Sequence, residues 1–180
     1  DSEINEWNAA RMGPERDVVG ELEKAIRKQG MRFMVAFHHA ENWWYYPHWR
    51  KEFDTSDAQY SGLYGSIHNQ DADPEIIEPN RWHEQDKPSR DFLRKWRGKI
   101  EEVIDRYKPD LIWFDAAGRA FDRIQERCRE EVLAYYFNKA REWGREVEVT
   151  YKGHSLPPGI GIVDLELGRM SELTYHVWIT

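Results

Sequence analysis

Apolar residues along this chain follow two alternating patterns: short continuous runs, and longer stretches where they recur three and four positions apart. Residues 15–29 carry Val18, Val19, Leu22, Ala25 and Ile26 as one helical stripe, with Pro14 near the first turn and Gly30 closing it. Residues 31–37 then form an apolar run broken only by Arg32, which predicts a buried strand. A second helix follows Pro88, with Ser89 as N-cap and Phe92, Leu93, Trp96, Ile100, Val103, Ile104 and Tyr107 at helical spacing. Pro109 ends it, and residues 111–115 read as a strand closing on a carboxylate, Asp115. A third helix is predicted from about 122 to 143, with Cys128, Val132, Leu133, Tyr136, Ala140 and Trp143 facing inward and Gly144 as C-cap. Strands at 147–151 and 162–167, the latter ending near Glu166, flank a Pro/Gly-rich loop at 155–161.

Repeated βα units mean a parallel sheet with helices outside it, an α/β class. Four strands that open with a helix and finish with a strand leave two sheet edges unpaired. The expectation is therefore a (β/α)8 TIM barrel of which this chain is roughly the central half, since a whole one takes about 250 residues. Between the first strand and the second helix lies a long aromatic-rich loop, 41–87. It is too long for a simple connection and is expected to be functional, with small elements of its own.

Composition narrows the partners. The 180 residues suit one domain, and a net charge of -7 argues against a nucleic-acid surface, which needs a basic patch. No stretch approaches the ~20 apolar residues of a membrane span. Cys128 is the single cysteine, so no internal disulfide can form. Nine tryptophans and 14% aromatic residues are an unusual richness. They concentrate in the long loop as Trp43, Trp44, Tyr45, Tyr46, Trp49, Phe53, Tyr60 and Tyr64.

Strand ends are where this architecture keeps its chemistry. Three of them supply polar side chains: His38 and His39, then Asp115, then Asp164 and Glu166. Two carboxyls delivered by separate strands into an aromatic cleft meet the needs of glycoside hydrolysis. One attacks or stabilises the sugar carbon and the other protonates the leaving oxygen, ~5 Å apart in a retaining enzyme. The competing readings are an Asp115 that caps its loop and a Glu166 or Asp164 that bonds a barrel residue. Aromatic faces suit the C–H face of a sugar; otherwise the loop aromatics form a satellite core, with Trp43 and Trp44 the best placed to bind. His38 and His39 are adjacent, so on a strand they point to opposite faces: one toward a sugar hydroxyl, the other packing behind. No His-Glu-x-x-His helix and no paired cysteines suggest a metal site. No Gly-x-Ser-x-Gly elbow is present either.

Two segments resemble a known family. Trp7-Asn8-Ala9 followed by Met12-Gly13-Pro14-Glu15-Arg16-Asp17-Val18-Val19-Gly20-Glu21-Leu22 looks like the approach to the third strand of the α-L-fucosidases of glycoside hydrolase family 29. Leu111-Ile112-Trp113-Phe114-Asp115 resembles the strand that bears their nucleophile. The resemblance implies a retaining exo-glycosidase that removes terminal α-L-fucose through a covalent fucosyl-enzyme intermediate, with no cofactor. It implies a fucosylated oligosaccharide or glycoconjugate as substrate, and a secreted, periplasmic or lysosomal location. On this match the chain holds about strands 3 to 6. Asp115 is the nucleophile, Trp113 lies near the fucose, and Lys152 stands where some members have an arginine. The acid/base falls on Glu166, with Glu172 in reserve. The chain departs from the pattern where Ala116-Ala117 precede Gly118, since family members often carry two glycines after the nucleophile. Family histidines that hold the fucose hydroxyls fall before Asp1, and the far strands fall beyond Thr180. The alternatives are a barrel hydrolase on another sugar and a carbohydrate-binding relative without turnover.

Overall fold

A computed structural model describes residues 2–77, 87–115, 120–152, 155–165, 168 and the backbone of 178–179. Five strands, β1 (Met34–Phe37), β2 (Leu111–Phe114), β3 (Glu148–Lys152), β4 (Ile162–Asp164) and β5 (Trp178–Ile179), form one sheet in sequential order. Every neighbouring pair is parallel. Sequential order matters: right-handed crossovers that always step the same way put every helix on one face of the sheet. That is a barrel wall and not a doubly wound sheet.

The helix layer follows from the predicted stripes. Helix α1 (Val18–Lys28) starts three residues later than the expected 15, because the Asp17 side chain accepts the Gly20 N–H at 3.1 Å and caps it. Among its described residues, the long loop holds three single-turn helices, α2 (Asn42–Tyr45), α3 (Ser61–Tyr64) and α4 (Pro74–Ile77), with short 3-10 turns among them. Helix α5 (Arg90–Tyr107) begins at the predicted cap, where the Ser89 hydroxyl accepts the Phe92 N–H at 3.1 Å. The predicted 122–143 helix is two pieces, α6 (Ala120–Arg123) and α7 (Glu126–Trp143), and α7 ends on Gly144 at φ +64. Ile124 between them is 1% exposed, so the break serves to bury it. The β5 strand was not expected, since two paired residues carry no periodicity.

The core lies between the sheet and α5 and α7. Ile112, Phe114, Val149 and Tyr151 point outward from the sheet onto Trp96, Ile100, Ile104, Val132 and Tyr136. Fully burying side chains of this size contributes about 1.5–3 kcal/mol each. Gly161 admits β4 beside β3, because a Cβ there would sit 2.4 Å from the Val149 carbonyl oxygen. Among the described residues, no helix is long and apolar enough to cross a membrane.

Candidate active site

Parallel register brings four polar side chains into one row at the carboxyl ends of the strands. Pairing of Phe37 with Phe114 puts His38 beside Asp115. Pairing of Trp113 with Thr150 puts Asp115 beside Lys152, and Lys152 pairs with Asp164. Residues two apart on a strand share a face. His38, Asp115, Lys152 and Asp164 therefore continue the inner face, opposite the helices.

Asp115 is held at both oxygens: Lys152 Nζ donates to Oδ1, and His38 Nε2 contacts Oδ2. The Asp115 carboxyl is held below the usual carboxylate range, first by the hydrogen bond from Lys152 and then by the Lys152 charge and His38. Partial burial acts in the opposite direction and loses. A carboxylate kept ionised and half-accessible at a strand end has the properties of a nucleophile or electrostatic stabiliser. Ser155 ties Lys152 to the helix layer. Arg129 on α7 donates to the Ser155 carbonyl at 2.7 Å, and the Ser155 hydroxyl donates to the Lys152 carbonyl at 2.7 Å.

Other sequence candidates land elsewhere. His39 diverges from His38, as adjacent residues must, and points to the helix side. Its Nε2 donates to the Trp96 carbonyl at 3.0 Å, and the ring packs against Phe37 and Trp96. Burial pushes its pKa down to about 4, so the ring is neutral near pH 7. Of the adjacent pair, His39 is the one that packs behind the wall, so of the two only His38 stays a substrate-binding candidate.

The expectation that Trp43 and Trp44 bind substrate is corrected. They are 7% and 1% exposed and belong to the hydrophobic core. Trp43 stacks on His68 with ring centres 3.9 Å apart, and Arg123 lies over Trp44. The short helix α2 turns both indoles down onto the helix layer, where their apolar area is worth more than at the mouth. Trp113 does share the face of Asp115, one layer below it. Its indole N–H is enclosed without an acceptor among the described residues, as is the hydroxyl of its neighbour Thr150. The two acid/base candidates Glu166 and Glu172 lie outside the described residues. Asp164 is described and stands in the row, 3% exposed.

Asp110, which the sequence reading did not single out, anchors the opposite end of β2. Its Oδ2 accepts from Arg27 Nη1 at 2.7 Å and from the Phe33 N–H at 2.8 Å. An acidic residue wedged between a proline and an apolar run is the only sequence signal it carries. Among the described residues no group of three His, Cys, Asp or Glu side chains is placed to hold a metal ion.

Three kinds of comparison bear on this geometry. The family model for alpha-L-fucosidase matches residues 1–178. The tissue alpha-L-fucosidase of Rattus norvegicus is 25% identical over 84% of this chain and 30% of its own length. That of Bos taurus is 30% identical over 73% of this chain and 21% of its own. The chain thus spans under a third of these relatives. The solved alpha-fucosidase of Thermotoga maritima in complex with fucose superposes with a TM-score of 0.59 at 20% identity, over 99% of this chain and 33% of that one. At that identity the likeness speaks to the fold, and it makes the five strands part of a barrel wall.

Proposed function

Because the chain belongs to the alpha-L-fucosidase family, we propose that its strand-end row is part of a site that hydrolyses terminal α-L-fucosides of fucosylated glycans with retention of configuration. The observation that carries this reading is Asp115: a carboxylate at the end of β2, held ionised by Lys152 and His38 on the inner face. In the first step an Asp115 oxygen attacks the anomeric carbon while the bond to the leaving oxygen breaks. The acid/base gives its proton to that oxygen. In the second step the same group, now a base, takes a proton from water, which attacks the anomeric carbon and releases Asp115 and fucose. Lys152 keeps Asp115 charged before attack and stabilises it as a leaving group afterwards. His38, the more exposed of the two partners, is positioned to exchange Asp115 for a sugar hydroxyl.

The acid/base candidates are Glu166, with Glu172 in reserve, as the resemblance implies, and Asp164, whose position in the strand-end row supports it. Asp164 stands two strands from Asp115 in the same row, and strands are about 4.8 Å apart. Their strands are therefore roughly 10 Å apart, and a retaining pair needs the two inward-pointing carboxyls to converge across the mouth to about 5 Å.

The test is an aryl α-L-fucoside assay on the full-length protein that carries this chain. Asp115→Ala should lose several orders of magnitude in turnover, and added azide should give the inverted glycosyl azide, since an external anion replaces the missing carboxylate on one face. The acid/base variant, Glu166→Ala or Asp164→Ala, should lose least on leaving groups that need no proton. Near-normal turnover by Asp115→Ala would overturn the reading.

A further inference from the structure

Outside the barrel wall, behind His39, a cavity of about 70 Å³ opens between the first half of α5 and the aromatic loop. Lys95 and Lys99 line it together with Asn5, Asn42 and Ser61, and no carboxylate does among the described residues. The two lysines are one helical turn apart, so both residues stand on the same face of α5. Lys95 is shared with Asp91 at 2.9 Å. Lys99 makes no ion pair or hydrogen bond among the described residues, although most lysines in such a position would extend into water. Burial pushes its pKa down, the neighbouring Lys95 adds to the effect, and Glu102 opposes it.

We propose that this cavity is a binding site for a small inorganic oxyanion such as phosphate. Asp91 already partners Lys95, so it is Lys99, with no carboxylate bonded to it, whose charge an anion in the cavity would neutralise. Amide and hydroxyl groups of Asn5, Asn42 and Ser61 supply neutral donors beside the charged ones. The volume is several times the ~10–15 Å³ that one water needs, so it suits a single oxyanion and not a sugar ester. The chain supports the cavity from three separate places: the N-terminal segment, the loop after β1 and helix α5. Its inner wall is His39, next to His38 at the mouth, which makes the site a neighbour of the nucleophile without being part of it.

Calorimetric titration of the full-length protein with inorganic phosphate, at constant ionic strength, tests this independently of any glycosidase activity. The wild type should bind saturably. Lys99→Gln should weaken binding roughly tenfold or more, as expected for loss of a charged hydrogen-bond donor, and Lys95→Gln should weaken it less. Lys24→Gln on α1 should leave it unchanged. Phosphate should also raise the Tm of the wild type and not of Lys99→Gln, by mass action on the folded state. A galactose phosphate ester should bind far more weakly than the free ion; equal or tighter binding of the ester would overturn the choice of ligand. Absence of saturable binding by the wild type, or equal binding by Lys99→Gln, would overturn the site.

Discussion

The two carboxylates that flank β2 are five residues apart and do opposite work. Asp110, at the entry, is 8% exposed and takes three jobs at once. Its side chain accepts from Arg27 and from the Phe33 N–H, its N–H donates to the Phe33 carbonyl, and its carbonyl accepts from Glu148. It sets the register of β1, β2 and β3 from below. Asp115, at the exit, is held by Lys152 and His38 and keeps a third of its side chain exposed. In a parallel barrel the entry face is where stability is built and the exit face is where loops leave room for chemistry. Residue type alone does not separate the two; position along the strand does.

That contrast can be broken most sharply by making the same change at both ends. Asp115→Asn in the full-length protein should cut kcat on an aryl α-L-fucoside by at least about a thousandfold, roughly 4 kcal/mol of barrel-mouth chemistry. Its thermal midpoint should shift little. Asp110→Asn should do the reverse. It should lower unfolding free energy by about 2–4 kcal/mol, because Arg27 and the Phe33 N–H lose a buried charged acceptor. Turnover per folded molecule should stay near normal. Urea unfolding of both variants beside their kinetics decides it, and an Asp110→Asn enzyme that is stable but inactive would reverse the assignment.

The two neighbours His38 and His39 give a smaller version of the same test. His39 is buried neutral with its pKa lowered to about 4, so the unfolded chain binds the proton more readily between pH 6.5 and 4. Its contribution to stability is complete above pH 6.5 and is lost as pH falls toward 4, by up to about 3 kcal/mol. A His39→Gln variant should show a flatter stability profile across that window. A profile as steep as the wild type's would mean that other groups carry the dependence.

The smallest expected effect concerns how Asp115 is kept ionised. Removing the Lys152 hydrogen bond and charge in Lys152→Gln should let the Asp115 pKa rise. The acid limb of kcat/KM should then move to higher pH. Lys152→Arg should keep the charge and leave the limb closer to its original place. An unmoved limb in Lys152→Gln would assign that limb to another group.

Much of this was legible in the chain. Helical stripes at 92–107 and 128–143 and the apolar run at 111–114 belong to local periodicity, which is dictated residue by residue. Ser89 and Gly144 mark helix ends for the same reason: a cap is a contact within one turn of chain. Asp115 was legible because a buried strand must end somewhere, and a carboxylate there is conspicuous. What periodicity could not decide is which neighbours meet. His38, Lys152 and Asp164 join Asp115 through strand register, a pairing between segments 12 to 77 residues apart in sequence. Trp43 and Trp44 carry no mark that separates a sugar platform from a core plug, because both uses want the same indole. Only the single turn of α2 aimed them inward. The sequence by itself determined the long helices, the strands β1 to β4 and which carboxylate closes β2, since those follow from the pattern within each segment. The tertiary structure decided the partners of that carboxylate, and which histidine and which tryptophans face away from it, because those choices are made by packing between distant segments.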